Sequence, residues 1–320
     1  MNIKVKGYIL GSIAAATYGM NPLFALPLYQ DGMDIASVLF FRYAIAIPIV
    51  GIMLKARGRN FKISRREGWL LLGMGLLMAI SSLTLFTSYT YMEAGIASTL
   101  LFVYPVMVAL IMALLFHEKI SMTTVFCIGI ALCGIALLYK GEDGATLSLT
   151  GTIMVLASAL SYAIYIVDIN QTALKDVATL KVTFYVLTVG MVAFLIWLRG
   201  GKALTLPSQW YHWFNVLALA VFPTTISFIC TTRAIQYIGS TPTAILGALE
   251  PATAVFFGIL IFGETLTLRE SIGLALIIAA VTLIILGGKV SHLLLGFRKL
   301  FPRLSKKGNK KGGDKSQSVS

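Results

Sequence analysis

Charge is what this sequence has least of. Only 12% of its 320 residues are Asp, Glu, Lys or Arg, about half the fraction a soluble domain carries. An ordinary water-soluble globule is therefore excluded. Histidine occurs three times, at His117, His212 and His292, each at the edge of an apolar run. No His, Asp or Glu cluster has ligand spacing and no Ser–His pair lies within a run, so neither a metal centre nor a hydrolytic or group-transfer enzyme has residues to stand on. No metal and no cofactor is expected. The three cysteines, Cys127, Cys133 and Cys230, fall inside apolar segments without pattern. That rules out a disulfide framework and leaves them as small core residues.

What the chain does have is hydrophobic length: 58% of it is apolar and its mean hydropathy is +0.86. Runs of about 20 apolar residues, enough to cross a bilayer, recur near 7–28, 36–54, 69–88, 95–116, 122–139, 151–170, 180–198, 212–231, 241–262 and 271–287. The expected fold is all-α and integral to the membrane, with ten transmembrane helices and short connections. Lys4 and Lys6 before the first run resemble a secretory leader, but the run is too long and its pattern returns later, so it reads as a retained span. The net charge of +13 does not point to nucleic acid, because the bases sit in loops and a tail. Lys55, Arg57, Arg59, Lys62, Arg65 and Arg66 crowd one loop, whereas Lys140, Arg199, Lys202 and Arg269 are all that falls on the opposite side. By the positive-inside rule both termini are cytoplasmic and the host is a cell inner (plasma) membrane.

The chain is written twice. Gly7 and Gly151, then Thr17-Tyr18-Gly19 and Ser161-Tyr162-Ala163, match at a spacing of 144 residues. Tyr91 and Tyr237, Pro105 and Pro251, and Glu118 and Glu264 match at 146. Ile128-Gly129-Ile130-Ala131-Leu132 and Ile272-Gly273-Leu274-Ala275-Leu276 return to 144. Residues 1–140 and 149–288 thus form two five-helix units, and an odd span count inserts them with opposite orientation. Inverted repeats of this kind are typical of secondary transporters.

With Tyr18-Gly19 in the first span, Arg42 in the second, Pro105…Glu118 in the fourth and Leu249-Glu250-Pro251 through Gly263-Glu264 in the ninth, the chain resembles the EamA-type drug/metabolite transporters over residues 7–287. The resemblance implies two fused five-helix units that export small metabolites, often amino acids, by an ion gradient or by exchange. It also implies that spans one, three, four, six, eight and nine surround the pathway.

Glu250 is the first candidate site residue. It lies about 14 Å into a 1.5 Å-per-residue helix, near the bilayer centre. An intramembrane acid is a functional hypothesis by default, here for a proton or a substrate ammonium. The alternative is an interhelical hydrogen bond beside a proline distortion. Pro251 removes an N–H, so a carbonyl near Gly247 is expected to lack its partner. Arg42 is open between three readings: a fork for a substrate carboxylate, a partner of Glu250, and a side chain snorkelling to the headgroups. Tyr18, Asn21, Thr87, Tyr89, Tyr162, Tyr165, Ser227 and Thr231 are candidates to line the cavity, with Tyr104 as the first-half counterpart of Glu250. Each of these could equally be an interhelical bond or an interface anchor. Pro105, Pro251, Glu118 and Glu264 read as structural, the two glutamates capping or bonding the next helix.

After Gly288 the chain mixes apolar and basic residues up to Arg303 and then turns to Lys, Gly and Ser. The basic tail, 289–320, is expected to be cytoplasmic, with residues 291–303 lying on the anionic inner leaflet and 305–320 disordered. A channel would need a continuous polar stripe or a charged ring, and a nucleotide-sized anion several intramembrane bases. The small-molecule partner is thus expected to be zwitterionic or weakly charged, with a proton as the second partner.

Overall fold

Several helix starts carry a side chain that takes up the unpaired amides of the first turn. Asp34 accepts hydrogen bonds from the N–H groups of Ala36 and Ser37 at 3.0 and 3.2 Å. Ser64 and Glu67 form a reciprocal capping box, and Ser148 accepts from Gly151 N–H. Between such signals the residues are apolar enough for the helix to continue through lipid. The computed structural model describes residues 2–92, 94–118, 121–138, 148–262, 268–269, 271–273, 275–280 and 283. All of them belong to one compact unit.

The helices are α1 (Ile3–Tyr18), α2 (Asn21–Gln30), α3 (Ile35–Ala56), α4 (Arg65–Ser88), α5 (Ala94–Leu101), α6 (Tyr104–Phe116) and α7 (Met122–Leu138). The second half gives α8 (Leu149–Gln171), α9 (Thr179–Trp197), α10 (His212–Leu219), α11 (Ser227–Ile238), α12 (Ser240–Leu246) and α13 (Leu249–Phe262). A shorter apolar helix follows over Ser271–Ala280. Among the described residues, six helical stretches are long and apolar enough to cross a membrane: Ile3–Gln30, Ile35–Ala56, Arg65–Ser88, Leu149–Gln171, Thr179–Trp197 and His212–Ile238. The protein is an all-helical, multi-pass membrane protein.

The fourth and ninth spans, expected as continuous helices, are each broken in two. The first break falls at Phe102–Val103 and the second at Gly247–Ala248, at matching places in the two halves. Each half-helix beyond the break begins with proline near its start, Pro105 in α6 and Pro251 in α13. Proline suits that position, where its missing N–H would have no partner anyway. Pro251 therefore starts a helix and does not kink one. The carbonyl of Gly247 is also not orphaned, since it accepts the Glu250 N–H at 2.8 Å.

The eighth span bends differently. Pro223 sits in a π-helical segment, Ala220–Ile226, between α10 and α11. Its widened turn leaves carbonyls that the next two hydroxyls take up: Thr224 donates to Leu219 O and Thr225 to Ala220 O, both at 2.7 Å. That is how a proline is tolerated in mid-span.

Packing follows the repeat. α1 packs along α11 and α4 along α8, and these two pairs exchange when each helix is replaced by its counterpart. α3 packs on α9, a pair that maps onto itself, and α6 on α12, a pair that exchanges with α13 on α5. The contacts use small and hydroxylated residues, as lipid requires. Ser158 donates to the Ser81 carbonyl at 2.8 Å across α4 and α8, and Ser227 to the Ala14 carbonyl at 3.0 Å across α1 and α11. Large apolar side chains such as Trp69, Leu114 and Ile196 stay exposed on the outside, where lipid would meet them.

Two sets of loop contacts fasten the ends of α3. At its start, Thr205 Oγ1 accepts from Asp34 N–H at 2.8 Å, Ser37 Oγ accepts from Thr205 N–H at 3.0 Å, and Asp31 accepts from Ser208 N–H at 2.7 Å. Asp31 also lies 3.9 Å from His212. Beyond its other end, Lys181 and Tyr185 of α9 donate to the carbonyls of Lys62 and Phe61 at 2.8 and 2.6 Å. The expected basic tail, Glu264, Gly263 and the 139–147 loop lie outside the described residues.

Asp34→Ala removes the α3 cap while leaving the apolar face intact. It should lower the stability of the purified protein by about 1 kcal/mol, read as an earlier midpoint in thermal unfolding.

Candidate functional site

The two helix breaks meet. Tyr104, the first residue of α6, and Glu250, the second of α13, are equivalent positions of the two halves, and the Tyr104 hydroxyl donates to Glu250 Oε1 at a long 3.5 Å. The hydroxyl reaches this far because residue 247 is glycine: a Cβ there would collide with it. Gly19, at the end of α1, closes the arrangement from the other side, and a Cβ on it would strike the Glu250 carbonyl. The amino end of α13 thus presents the carboxylate in the first turn of a half-helix, where the positive end of the helix dipole favours it.

A second pair of equivalent residues also touches. Tyr18 of α1 and Tyr162 of α8 stack with ring centroids 6.1 Å apart and planes within 5°. Tyr104 meets Tyr162 edge-on at 4.9 Å, and Tyr165 lies parallel behind Tyr162 at 6.1 Å. Four of the predicted tyrosines therefore form one stack beside Glu250.

Glu250 is half-buried and borders two small cavities. One, of about 10 Å³, adjoins Tyr104, Tyr162, Ser227, Thr231, Thr243 and Gly247. The other, of about 20 Å³, adjoins Tyr18, Asn21, Leu85, Tyr89, Ser98 and Leu101. Each has room for on the order of one water. Their walls come from spans one, three, four, six, eight and nine, the six that the family resemblance implied. In this state the site is too small for a metabolite, and a route to it must open by helix movement.

Arg42 is fully buried, so it does not snorkel to the surface. Nor does it pair with Glu250. Its Nε donates to Thr224 Oγ1 at 2.6 Å and its Nη1 to Asn21 Oδ1 at 3.0 Å. The guanidinium carbon lies 5.3 Å from the Phe86 ring and 5.6 Å from the Tyr43 ring. Arg42 stands behind Asn21, which itself faces the second cavity.

Other candidates have quieter places. Thr87 donates to the Leu83 carbonyl of its own helix. Glu118 is exposed, and among the described residues its carboxylate makes no hydrogen bond or ion pair; the helix that follows is capped by Ser121, which accepts from Thr124 N–H. Sequence reasoning missed Tyr29, Ser98, Thr224 and Thr243. The Pro223-Thr224-Thr225 run in mid-span was a usable signal for Thr224, since a proline there frees carbonyls that hydroxyls can satisfy.

Comparison with known proteins agrees in outline. The model of the EamA-like transporter family matches twice, over residues 5–140 and 149–286. An uncharacterised transporter of Archaeoglobus fulgidus is 28% identical over 274 residues, covering 84% of this chain and 92% of its own. One of Synechocystis sp. is 30% identical, covering 69% and 68%. The threonine/homoserine exporter RhtA of Salmonella typhimurium is 26% identical, covering 81% and 88%. A solved crystal structure at 18% identity superposes with a TM-score of 0.70 over 87% of this chain and 96% of its own, a likeness of fold alone.

Gly19→Val should push α1 off the start of α13. An overpacked contact of this kind costs about 1–3 kcal/mol. The variant should unfold earlier on heating and lose most transport, while the same change at Gly73, which has open space around it, should have little effect.

Proposed function

Since this chain belongs to the EamA-like transporter family, we propose that it is a secondary active transporter exporting small metabolites, amino acids among them, by proton coupling or exchange. It is a transporter and not an enzyme. The observation that carries the mechanism is the meeting of Tyr104 and Glu250 at the two helix breaks. Residues at matching positions of two repeats can touch only at the local twofold between the halves, and Tyr18 and Tyr162 repeat the point. In transporters built from repeats, broken helices at such an axis mark the place where substrate and ion bind.

The two halves, 1–140 and 149–288, are then inverted units that exchange inward-open and outward-open shapes about this axis. Glu250 carries the coupling. It borders water-sized cavities on two faces, so a shift of either half changes how much water it sees. The free energy of its ionisation changes with conformation, and a gradient of protons can bias the cycle. Tyr104 holds the carboxylate in place, and the tyrosine cluster forms the wall of the site beside it. The similarity to a threonine/homoserine exporter supports amino acids as the cargo. Both termini lie in the cytoplasm, in a plasma membrane, with the basic tail, 289–320, against its anionic leaflet.

Glu250→Gln keeps shape and hydrogen bonding but cannot ionise. In proteoliposomes it should abolish accumulation driven by a pH gradient while counterflow of labelled amino acids persists. Undiminished pH-driven uptake would reduce Glu250 to a packing residue, and no counterflow of any amino acid would remove the cargo assignment. Reporter fusions should place residues 57–64 and the tail in the cytoplasm and the 139–147 loop outside. A cytoplasmic reading for that last loop would break the inverted topology.

A further inference from the structure

The environment of Arg42 has a charge and several unpartnered donors, and among the described residues no carboxylate pairs with it. The side chain is 0% exposed and Asn21 is 1% exposed. Arg42 Nη2, Asn21 Nδ2 and the Tyr29 hydroxyl are all buried without a hydrogen-bond partner. Tyr29 and Arg42 flank the same ring, that of Phe86, at 6.4 and 5.3 Å. A buried guanidinium with no counter-ion is strongly destabilising, and an unsatisfied buried donor adds to the cost.

The nearby acids are committed elsewhere. Asp34 caps α3. Asp31 accepts from Ser208 N–H and lies by His212. Glu250 is held by Tyr104. None of them makes an ion pair with Arg42.

The orientation of the Asn21 amide is fixed by chemistry. A guanidinium only donates, so the Asn21 oxygen must face Arg42. The amide nitrogen is turned away from it, and Asn21 borders the second cavity, which Glu250 also borders. Arg42 is anchored in turn by Thr224 of the π-helical segment. The second half has no such device: the counterparts of Arg42 and Asn21 are Val186 and Tyr165.

We propose that Asn21 and Arg42 form a carboxylate subsite, in which the Asn21 amide and the free Arg42 Nη2 take the anionic group of the substrate. The proposal rests on the transport reading above and extends it. The substrate supplies the counter-ion that Arg42 lacks among the described residues. With Glu250 on the same cavity, the site has a positive and a negative end, which suits a small zwitterion carrying both a carboxylate and an ammonium. Arg42 has a second role as the positioning residue for Asn21.

The shared chemistry is a small monovalent anion, so the test must separate a carboxylate from an inorganic ion. Thermal unfolding of the purified full chain is measured at equal ionic strength in acetate, chloride or isethionate. Acetate well above its dissociation constant should raise Tm by about 2–4 °C over isethionate, and chloride should not. Asn21→Asp gives Arg42 a built-in counter-ion. It should raise Tm in isethionate and abolish the acetate response. An equal response to chloride would overturn the carboxylate assignment in favour of an inorganic-anion site. No acetate response in the unaltered protein, or an acetate response retained in Asn21→Asp, would overturn the subsite itself. The unaltered protein decides alone if the variant does not fold. No transport is measured, so a negative result here leaves the transport reading standing, and a failure of counterflow leaves the anion response to be read independently.

Discussion

In hydrocarbon a peptide group without a hydrogen-bond partner costs several kcal/mol, so a membrane helix is interrupted only where something else takes over. The fourth and ninth spans of this chain are interrupted at corresponding places, at Phe102–Val103 and Gly247–Ala248, and the first span at Gly19–Met20, and the site is arranged around these breaks. Glu250 turns its own N–H back to Gly247. Pro105 and Pro251 begin the next half-helices without an amide that needs a partner. Gly19 and Gly247 let a helix end and a tyrosine hydroxyl close over the second break. The polar opening is thereby kept small, and it faces cavities and not lipid.

On this near-symmetric frame the chemistry is one-sided. Glu250 has Tyr104 as its counterpart, Arg42 has Val186, and Asn21 has Tyr165. Symmetry is useful for exchanging two shapes of similar energy, but a bound molecule with unlike ends needs unlike groups to orient it. Each half contributes one charge. Arg42 comes from the first and Glu250 from the second, with Asn21 and the tyrosine stack between them. For the zwitterion proposed above, a symmetric pair of acids or of bases would not match both ends.

Much of this was legible in the sequence, because lipid leaves so few options. The repeat spacing, the apolar runs and the rarity of charge led to the helix order, to Glu250 and to the tyrosines now seen together. The breaks were not legible. A proline after a glutamate in an apolar run serves equally to kink a helix and to start one, and the packing of Tyr104 against Gly247 decides which. Arg42 was ambiguous for a similar reason: depth along its own span does not say whether other helices close over it. Its anchor, Thr224, depends on a π-turn that arises from Pro223 and from the neighbours α3 and α1. The glutamate repeated as Glu118 misled, since its cap is supplied by Ser121.

The contacts at the two ends of α3 show how such a frame can still move. At one end Asp31, Asp34 and Ser37 hold the 205–208 segment, and beyond the other Lys181 and Tyr185 hold the 61–62 segment. α3 and α9 are counterparts, so each set joins a loop of one half to a span of the other. Both are largely exposed hydrogen bonds, worth about 0.5–1.5 kcal/mol each, and water can replace them. The buried contacts between spans, by contrast, have no solvent to substitute for them. In the exchange of shapes proposed above, opening to either side would break the weak, replaceable bonds at one end while the other end and the interior hold. An end that was buried and apolar would cost far more to part, and a central site sealed by water-sized cavities would then have no route out.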